Sequence, residues 1–248
     1  MKTIMITGCS SGYGLETARL FHRKGWHVVA TMRTPNPEVL APAERLQIVP
    51  LDVTRADSIA QAMALAGPIN VLVNNAGIGL FGAFEATPMK TVREIFETNT
   101  FGTMAMTQAV LPQLRERGSG LVINVTSSAT LAPFPLVASY TASKTAIEGF
   151  TESLALELAG FGVRVKLVEP GYGPGTRFAE NGAQRMQGLV PEPYMPLAQS
   201  IFATLGQPGA ITTEAAVARA VWQAANDSGW LLRYPAGDDA VELARHAR

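Results

Sequence analysis

A glycine-rich turn close to the amino terminus joins a short apolar run to a helical pattern. Residues 3–7 predict a short buried strand, and residues 15–24 predict a helix. Gly8, Gly12 and Gly14 lie between them. Glycine lets the backbone approach a ligand closely, and the amino end of a helix favours an anion. A strand that enters such a turn and then a helix therefore predicts a phosphate-binding site in an α/β fold.

Strand and helix patterns alternate along the rest of the chain. Further strands are predicted at residues 27–32, 46–51, 70–73, 121–125, 163–168 and 230–234. Helices are predicted in a short segment that ends near residue 44 and at residues 57–66, 88–117, 139–159 and 213–225. This alternation is typical of a Rossmann-like α/β fold, a doubly wound parallel sheet of about seven strands with helices on both faces. A chain of 248 residues can form such a fold undivided, so we expect a single domain over residues 1–248.

Two segments depart from the regular pattern. Asn99 and Gly102 interrupt the helical pattern of residues 88–117, and an asparagine inside a helix favours a local distortion. A loosened turn there would leave a backbone carbonyl for water. Residues 172–211 contain prolines, glycines and scattered apolar side chains, which is typical of a functional loop. We expect this segment to be a substrate loop or lid.

The composition argues against several classes of function. The formal net charge is zero and no basic cluster is present, so we expect no nucleic-acid partner. No apolar run reaches transmembrane length and the first residues lack a signal-peptide pattern, so we expect no membrane partner and a cytoplasmic location. Cys9 is the only cysteine, which fits a reducing compartment. The three histidines are scattered, so no metal site is expected.

Several predicted strands end in residues that could contact a ligand. They are Arg33 after the second strand, Asp52 and Val53 after the third, Asn75, Ala76 and Gly77 after the fourth, and Ser127 after the fifth. The carboxyl ends of parallel strands meet at one edge of a sheet, so we expect these residues to form one site with the glycine turn. An asparagine at a strand end can also tie neighbouring backbone segments together.

Arg33 indicates which dinucleotide the site would prefer. A site for NAD usually ends the second strand with an acid that holds the ribose 2′-hydroxyl. Met32 occupies that position here, and Arg33 follows it. A guanidinium suits a 2′-phosphate, so the pattern favours NADP.

Tyr140 and Lys144 suit acid/base chemistry. They are four residues apart in the predicted helix of residues 139–159, so both side chains lie on one face. A tyrosine hydroxyl ordinarily titrates near about 10, and a neighbouring cation favours the phenolate. We therefore expect the pKa of Tyr140 to lie below its usual value. The same spacing occurs in ordinary helices, so this pair alone is a weak signal.

An alternative interpretation of the glycine turn is a serine hydrolase. Gly8, Ser10 and Gly12 fit the G-x-S-x-G pattern of a nucleophile elbow, and the strand–turn–helix context agrees. Ser10 would then be the nucleophile. Such elbows follow several strands rather than the first strand of a chain, which argues against this alternative.

Taken together, the motifs resemble those of the short-chain dehydrogenase/reductase superfamily, in its shorter single-domain branch. The matching residues are Thr7, Gly8, Gly12, Gly14, Asn74, Asn75, Ala76, Gly77, Asn99, Ser127, Tyr140, Lys144, Pro170 and Gly171. The resemblance implies reversible hydride transfer between NADP(H) and a carbonyl/alcohol pair, which we expect to act as reduction of a hydrophobic carbonyl substrate. It also implies a homodimer or homotetramer formed through two long helices.

The resemblance implies a role for each catalytic residue. Tyr140 would protonate the nascent alkoxide, and Lys144 would lower the Tyr140 pKa and hold the nicotinamide ribose. Ser127, selected over Ser128 by its spacing from Tyr140, would hydrogen-bond the substrate oxygen. Asn99 would support a water-borne proton relay to Lys144. A regulator that binds the dinucleotide without chemistry is a further alternative, but it would have no use for an activated phenol.

The resemblance also implies which residues contact the ligands. For NADP(H) we expect contacts from Gly8, Ser10, Ser11, Gly12, Tyr13, Gly14, Arg33, Asp52, Val53, Asn75, Ala76, Gly77, Tyr140, Lys144, Pro170 and Gly171. For the substrate we expect contacts from Ser127, Tyr140, Leu131, Phe134, Tyr172 and Phe178. One departure follows Pro170, because the family often has a threonine five residues later. Gly175 occupies that place and Thr176 comes next, so the role of Thr176 is open.

Overall fold

The computed structural model describes residues 1–176, 178–205, 209 and 211–246, without the side chains of residues 178 and 179. The strands are β1 Thr3–Ile6, β2 His27–Met32, β3 Leu46–Pro50, β4 Val71–Asn74, β5 Gly120–Val125, β6 Val163–Pro170 and β7 Arg233–Ala236. Over the described residues they form one seven-stranded sheet in the order β3-β2-β1-β4-β5-β6-β7, and every neighbouring pair is parallel. The predicted fold class is confirmed.

The chain enters the sheet at its centre. From β1 it runs outward through β2 to β3, and it then returns to β4 on the other side of β1. The connections after β1 and β4 therefore leave in opposite directions, which opens a crevice at the carboxyl ends of these two strands. Doubly wound folds bind their ligands in such a crevice.

Helices cover both faces of the sheet. They are α1 Gly12–Arg23, α2 Ala56–Ala66, α3 Met89–Phe96, α4 Gly102–Glu116, α5 Ala138–Leu158, α6 Phe178–Met186, α7 Met195–Leu205, α8 Glu214–Asn226 and α9 Asp238–His246. Within the described ranges, none of these helices combines the length and the apolar character needed to cross a membrane.

The alternation of side chains along the strands divides the core into two layers. Ile4 and Ile6 of β1 pack in the layer that contains Phe21 of α1 and Val221 of α8. Met5, between them, packs in the layer lined by α2, α4 and α5. Ile4, Met5 and Ile6 are fully buried between the two layers, so β1 is fixed in position at the edge of the crevice.

The predicted helix of residues 88–117 is interrupted by a π-helical turn. This turn, Glu97–Phe101, joins α3 to α4, and the N–H of Gly102 donates to the carbonyl of Glu97. Gly102 cannot carry a side chain there, because a Cβ would lie 2.7 Å from Val53 Cγ2. The Asn99 carbonyl accepts from the Thr103 hydroxyl at 2.9 Å. The predicted distortion at Asn99 is therefore confirmed, and π-turns of this kind often mark functional sites.

The short helix predicted before residue 45 is absent from this described segment. Residues 37–40 form a single turn, in which the N–H groups of Val39 and Leu40 donate to the Asn36 carbonyl. Pro42 follows, and it lacks the N–H that a helix would need. Arg45 has φ 65°, which no right-handed helix contains.

The carboxyl-terminal elements also differ from the prediction. The last strand was expected at residues 230–234, but Trp230 and Leu231 are exposed and β7 starts at Arg233. The charged tail after β7 forms helix α9. Its first turn is acidic and its last turn is basic, and both charges interact favourably with the helix dipole. This charge pattern could have predicted the helix.

The segment of residues 172–211 is more regular than expected. Among its described residues it contains α6, a 3₁₀ turn at Glu192–Tyr194, and α7. Ala198 and Ile201 of α7 pack against Ala83 and Leu136, so the segment has a small apolar core of its own.

Candidate active site

The glycine turn after β1 lies tightly against the end of β4. Gly8 has φ 74°, and a Cβ on Gly8 would lie 2.8 Å from the Ala76 Cα atom. A Cβ on Gly14 would overlap the Gly8 carbonyl. Ser11 precedes α1, but its hydroxyl caps none of the first N–H groups of the helix. The turn therefore presents backbone N–H groups at a helix amino end without side chains in the way, which fits a dinucleotide pyrophosphate.

Asn75 fastens the two strand ends to each other. Its side-chain amide donates to the carbonyls of Thr7 at 2.9 Å and Gly8 at 3.2 Å. In return, the Thr7 hydroxyl accepts the N–H groups of Asn75 at 3.0 Å and Ala76 at 2.9 Å. The expectation that an asparagine ties neighbouring backbone together is confirmed.

Arg33 is exposed just beyond β2, while Met32 before it is buried. Asp52 is half-buried after β3 and accepts the N–H and hydroxyl of Thr54 at 3.0 and 2.7 Å. Partial burial raises the pKa of Asp52, but the Thr54 hydrogen bonds and the charges of Arg33 and Arg55 hold it below its usual value. Arg33 and Asp52 thus lie close together at the crevice, whereas the side chain of Val53 points into the core.

Tyr140 and Ser127 meet at the centre of the crevice. Tyr140 is in the first turn of α5, and its hydroxyl is hydrogen-bonded to Ser127. The Ser127 Oγ atom also accepts the N–H of Ala129 at 3.2 Å, which fixes the serine in the turn that follows β5. Burial raises the pKa of Tyr140 to about 12, and the Ser127 hydrogen bond opposes this rise. The expectation of a pKa below the usual tyrosine value is therefore wrong here, because desolvation outweighs the effect of neighbouring groups.

Lys144 is buried one turn after Tyr140. Its Nζ atom donates to the Val125 carbonyl at 3.0 Å. Burial lowers the pKa of Lys144 to about 8, and the Glu148 carboxylate opposes this fall. A Cβ on Gly77 would lie 3.4 Å from Lys144 Nζ and 3.3 Å from Asn99 Oδ1, so the end of β4 converges with both residues.

The side chain of Asn99 joins the backbone after β4 to helix α5. Its amide accepts the N–H of Ile78 at 2.8 Å and donates to the Ile78 carbonyl at 3.0 Å and the Ser143 hydroxyl at 3.1 Å. Asn99 therefore holds the segment after Gly77 against α5. The water relay expected at Asn99 stays a prediction.

The loop after β6 is held by a residue that the sequence did not single out. Asp239 in α9 accepts the Tyr172 N–H at 2.6 Å, and its other oxygen lies 2.7 Å from the Thr212 hydroxyl. A Cβ on Gly171 would overlap the same carboxylate. Asp239 thus positions Pro170 and Gly171 at the crevice. A helix predicted for the charged tail would have placed Asp239 in its first turn and so made it a candidate.

Thr176 reaches the glycine turn despite its shifted position in the sequence. A Cβ on Gly12 would lie 3.6 Å from the Thr176 side chain, and the Thr176 hydroxyl donates to the Gly173 carbonyl at 2.9 Å. Gly175 instead lies near Glu214. Tyr13 is half-buried with its hydroxyl against Gly173, and burial together with Tyr140 raises its pKa.

The expected substrate residues are not all gathered around Tyr140. Leu131 is half-buried after the Ser128–Thr130 turn, and Tyr172 is exposed. Phe134 lines a groove along α5 with Thr141 and Thr145, a face of the helix different from that of Tyr140. The side chain of Phe178 lies outside the described residues.

Tyr140 packs instead with apolar residues from three segments, which are the residues after β4, helix α3 and the segment of residues 172–211. Leu80, Ile95 and Leu189 form a buried cluster, against which Tyr140, Ile78 and Met186 pack. Met186 and Leu189 belong to the segment predicted as a lid. No sequence pattern marked Leu80 or Ile95 as functional, because both are more than 40 residues from Tyr140 in the chain and only folding brings them together.

Ser10 is exposed in the glycine turn. Within the described ranges, no cluster of histidine, cysteine, aspartate and glutamate could hold a metal ion.

Comparison with known proteins assigns the family. The sequence model of the short chain dehydrogenase family matches residues 2–186. The chain belongs to the short-chain dehydrogenase family. This family comprises oxidoreductases that use a nicotinamide dinucleotide, so the hydrolase and its Ser10 nucleophile are disfavoured.

Individual relatives agree with this assignment. Retinol dehydrogenase 8 of Homo sapiens is 37% identical over 228 residues, covering 83% of this chain and 73% of the relative. A short-chain dehydrogenase structure from Streptomyces avermitilis has a TM-score of 0.82 at 34% identity, covering 99% of this chain and 91% of the other. A short chain dehydrogenase from Burkholderia cenocepacia in complex with NADP has a TM-score of 0.78 at 28% identity, covering 99% and 93%.

The close packing at Gly8 generates a testable prediction for this short-chain dehydrogenase. Gly8→Ala adds a methyl group at φ 74° and against the Ala76 backbone. We expect the free energy of unfolding in urea to fall by about 2–4 kcal/mol and binding of a nicotinamide dinucleotide to be lost. Gly118→Ala is the matched control, since Gly118 has φ 65° with open space around it, and should cost only about 1–2 kcal/mol. Equal losses in the two variants would contradict the packing argument.

Proposed function

We propose that this chain reduces a hydrophobic ketone or aldehyde with NADPH. The observation that carries the proposal is the hydrogen bond between Tyr140 and Ser127, next to the buried ammonium of Lys144 and at the crevice of a dinucleotide-binding fold. A neutral hydroxyl, a protonated phenol and a cation in this arrangement suit the protonation of an oxygen that gains negative charge.

Tyr140 is the proton donor in this reaction. When bound, NADPH supplies a hydride to the carbonyl carbon. As the carbonyl oxygen becomes an alkoxide, the Tyr140 hydroxyl gives it a proton and is left as a phenolate. With a pKa raised to about 12, the phenol is protonated at neutral pH and holds the proton that the alkoxide receives. Ser127 donates a hydrogen bond to the same oxygen and stays neutral.

Lys144 stabilises the phenolate that this proton transfer leaves. With a pKa of about 8 it is an ammonium at neutral pH, and its position one turn from Tyr140 places the charge on the same face of α5. The nicotinamide ribose is its second partner. Asn99 would hold a water that returns a proton through Lys144.

Arg33 supports a preference for NADP over NAD. The guanidinium is exposed beyond β2, at the carboxyl edge of the sheet where the ribose of a dinucleotide would lie. A guanidinium in that position suits a 2′-phosphate. The NADP complex of the Burkholderia cenocepacia relative is consistent with this preference.

An apolar substrate is supported by what surrounds Tyr140. Leu80 and Leu189 are in the buried cluster against which Tyr140 and Met186 pack, so these side chains keep water from the ring. Such walls favour a bulky hydrophobic carbonyl compound over a small polar one. The name of the human relative, a retinol dehydrogenase, refers to an alcohol of this kind.

We also propose that the chain forms a homodimer or homotetramer through α4 and α5. The groove along the outer face of α5, lined by Phe134, Ala142 and Ala146 among others, supports this proposal. Small side chains there allow a second helix to approach closely.

A regulator that binds the dinucleotide without catalysing a reaction is a weaker alternative, because Tyr140, Ser127 and Lys144 together suit proton transfer.

Replacing Tyr140 with phenylalanine tests the proposed reaction. Tyr140→Phe keeps the ring and removes the proton, so NADPH oxidation with a long-chain or aryl ketone should fall by about 10²–10⁴-fold. NADPH binding, measured by nucleotide fluorescence, should change little and serves as the control for folding. Near-normal turnover by this variant would refute the role of Tyr140.

Faster turnover of small polar ketones by the parent enzyme would refute the apolar substrate class.

Replacing Arg33 tests the dinucleotide preference. Arg33→Ala removes a charge-assisted contact worth about 1.5–3 kcal/mol, so the KM for NADPH should rise about tenfold or more while that for NADH stays the same. Arg55→Ala is the matched control, because Arg55 also lies near Asp52 but pairs with Asp57 at 2.7 Å. The preference is disproved if the parent enzyme uses NADH as efficiently as NADPH.

A further inference from the structure

A cluster of charged side chains lies behind the Tyr140 site, between α5, β6 and β7. Arg233 of β7 donates to Glu148 at 3.0 Å and to Glu152 at 2.6 Å, and it also binds Glu169. Glu148 of α5 and Glu169 of β6 are buried, so the guanidinium of β7 joins carboxylates of two other elements inside the molecule. Charges are buried in proteins at a high desolvation cost, and such a cluster therefore invites a functional explanation.

Glu148 contacts both sides of the Ser127 turn. The Thr126 hydroxyl donates to its carboxylate at 3.1 Å, and the Thr130 hydroxyl donates to the same oxygen. Thr126 precedes Ser127 and Thr130 ends the turn that Ser127 begins. One carboxylate therefore fixes the backbone on either side of the serine that meets Tyr140.

Glu148 is also the acidic neighbour of Lys144. The two residues are one helical turn apart on α5, and both are at least nine-tenths buried. The Glu148 carboxylate raises the pKa of Lys144 against the effect of burial. Because water is excluded from both groups, their attraction is stronger than it would be on the surface.

The other charges that face Glu148 leave this attraction in place. Arg233 is the cation on the far side of Glu148, but its charge is shared with Glu152 and Glu169. Glu169 is fully buried at the end of β6, and its Oε2 atom has no hydrogen-bond partner among the described residues. Burial, followed by the charge of Glu148, raises the pKa of Glu169. The cluster thus has an excess of carboxylate groups, which favours a cation at Lys144.

We propose that Glu148 is a positioning residue for the acid/base site: its carboxylate keeps Lys144 protonated in the working pH range and holds Ser127 against Tyr140. The role rests on the proposed function, because it matters only if Tyr140 and Lys144 perform the proton transfer. Glu148 itself touches neither the substrate nor the cofactor in this proposal. It acts through Lys144 on one side and through the turn of Ser127 on the other.

The first measurement is the titration of Lys144, followed by the NMR resonance of its labelled ε-carbon, with Lys144→Arg to assign the signal. Glu148→Gln keeps the shape of the side chain and removes its charge. We expect the titration midpoint of Lys144 to fall by about one pH unit or more, since a nearby opposite charge shifts a pKa by about 1–3. Glu152→Gln is the matched control, because Glu152 binds the same arginine but is 52% exposed, and it should leave the midpoint unchanged.

The second measurement is the pH profile of carbonyl reduction. In the parent enzyme, kcat/KM should fall as the pH rises through about 8, where Lys144 loses its proton. Glu148→Gln should move this fall to lower pH by the same amount, whereas a purely structural loss would lower the whole profile without moving it. Glu148→Asp retains the charge at a greater distance and should give intermediate values in both measurements.

The two measurements separate the failure of this inference from the failure of the proposed function. An unchanged Lys144 midpoint in folded Glu148→Gln would overturn the role of Glu148, whatever the enzyme turns over. If Glu148→Gln does not fold, Glu148→Met takes its place, because it also removes the charge at similar size, and an unchanged midpoint in this variant overturns the role equally. A parent protein that reduces no carbonyl compound with NADPH would instead overturn the proposed function, and the NMR titration needs no turnover.

Discussion

The close approach of the β1 turn to the end of β4 is the constraint on which the rest of the site depends. A side chain at Gly8 would meet the Ala76 backbone at 2.8 Å, and Asn75 and Thr7 hold the two segments together with four hydrogen bonds. β1 and β4 are neighbours where the path of the chain across the sheet reverses, so these hydrogen bonds fix the two sides of the crevice relative to each other. The glycine turn of the proposed dinucleotide site is one side of this junction, and Gly77 on the other side lies close to Asn99 and Lys144.

Burial then separates the proton affinities of the two groups that the proposed reaction needs. It raises the pKa of the Tyr140 phenol to about 12 and lowers that of the Lys144 ammonium to about 8. A phenol that keeps its proton and a cation beside it form an acid with a ready counter-charge for its conjugate base. In the proposed role of Glu148, its carboxylate links Lys144 to Arg233, so the protonation of the site depends on the packing of α5 on β6 and β7.

Local features of the sequence predicted much of this arrangement, and long-range features did not. The glycine spacing, the Tyr140–Lys144 spacing and the asparagine that distorts a helix act within a few residues, so their patterns are visible in the chain. The contacts of Asp239 with Tyr172 and of Arg233 with Glu148 join residues 67 and 85 positions apart. The raised pKa of Tyr140 depends on burial by Leu189 and Ile95, which only the folded chain brings together. Because Pro42 lacks an N–H and Arg45 has a positive φ, a turn forms where the sequence predicted a helix.

The most direct test of the account is an experimental structure of the chain with NADP⁺ and an unreactive analogue of a hydrophobic ketone, at neutral pH. We expect the pyrophosphate on the glycine turn and the carbonyl oxygen within about 2.6–3.2 Å of both Tyr140 Oη and Ser127 Oγ. The carbonyl carbon should face the nicotinamide ring near Gly77 and Gly171. A dinucleotide bound away from the glycine turn, or a carbonyl oxygen held by neither hydroxyl, would contradict it.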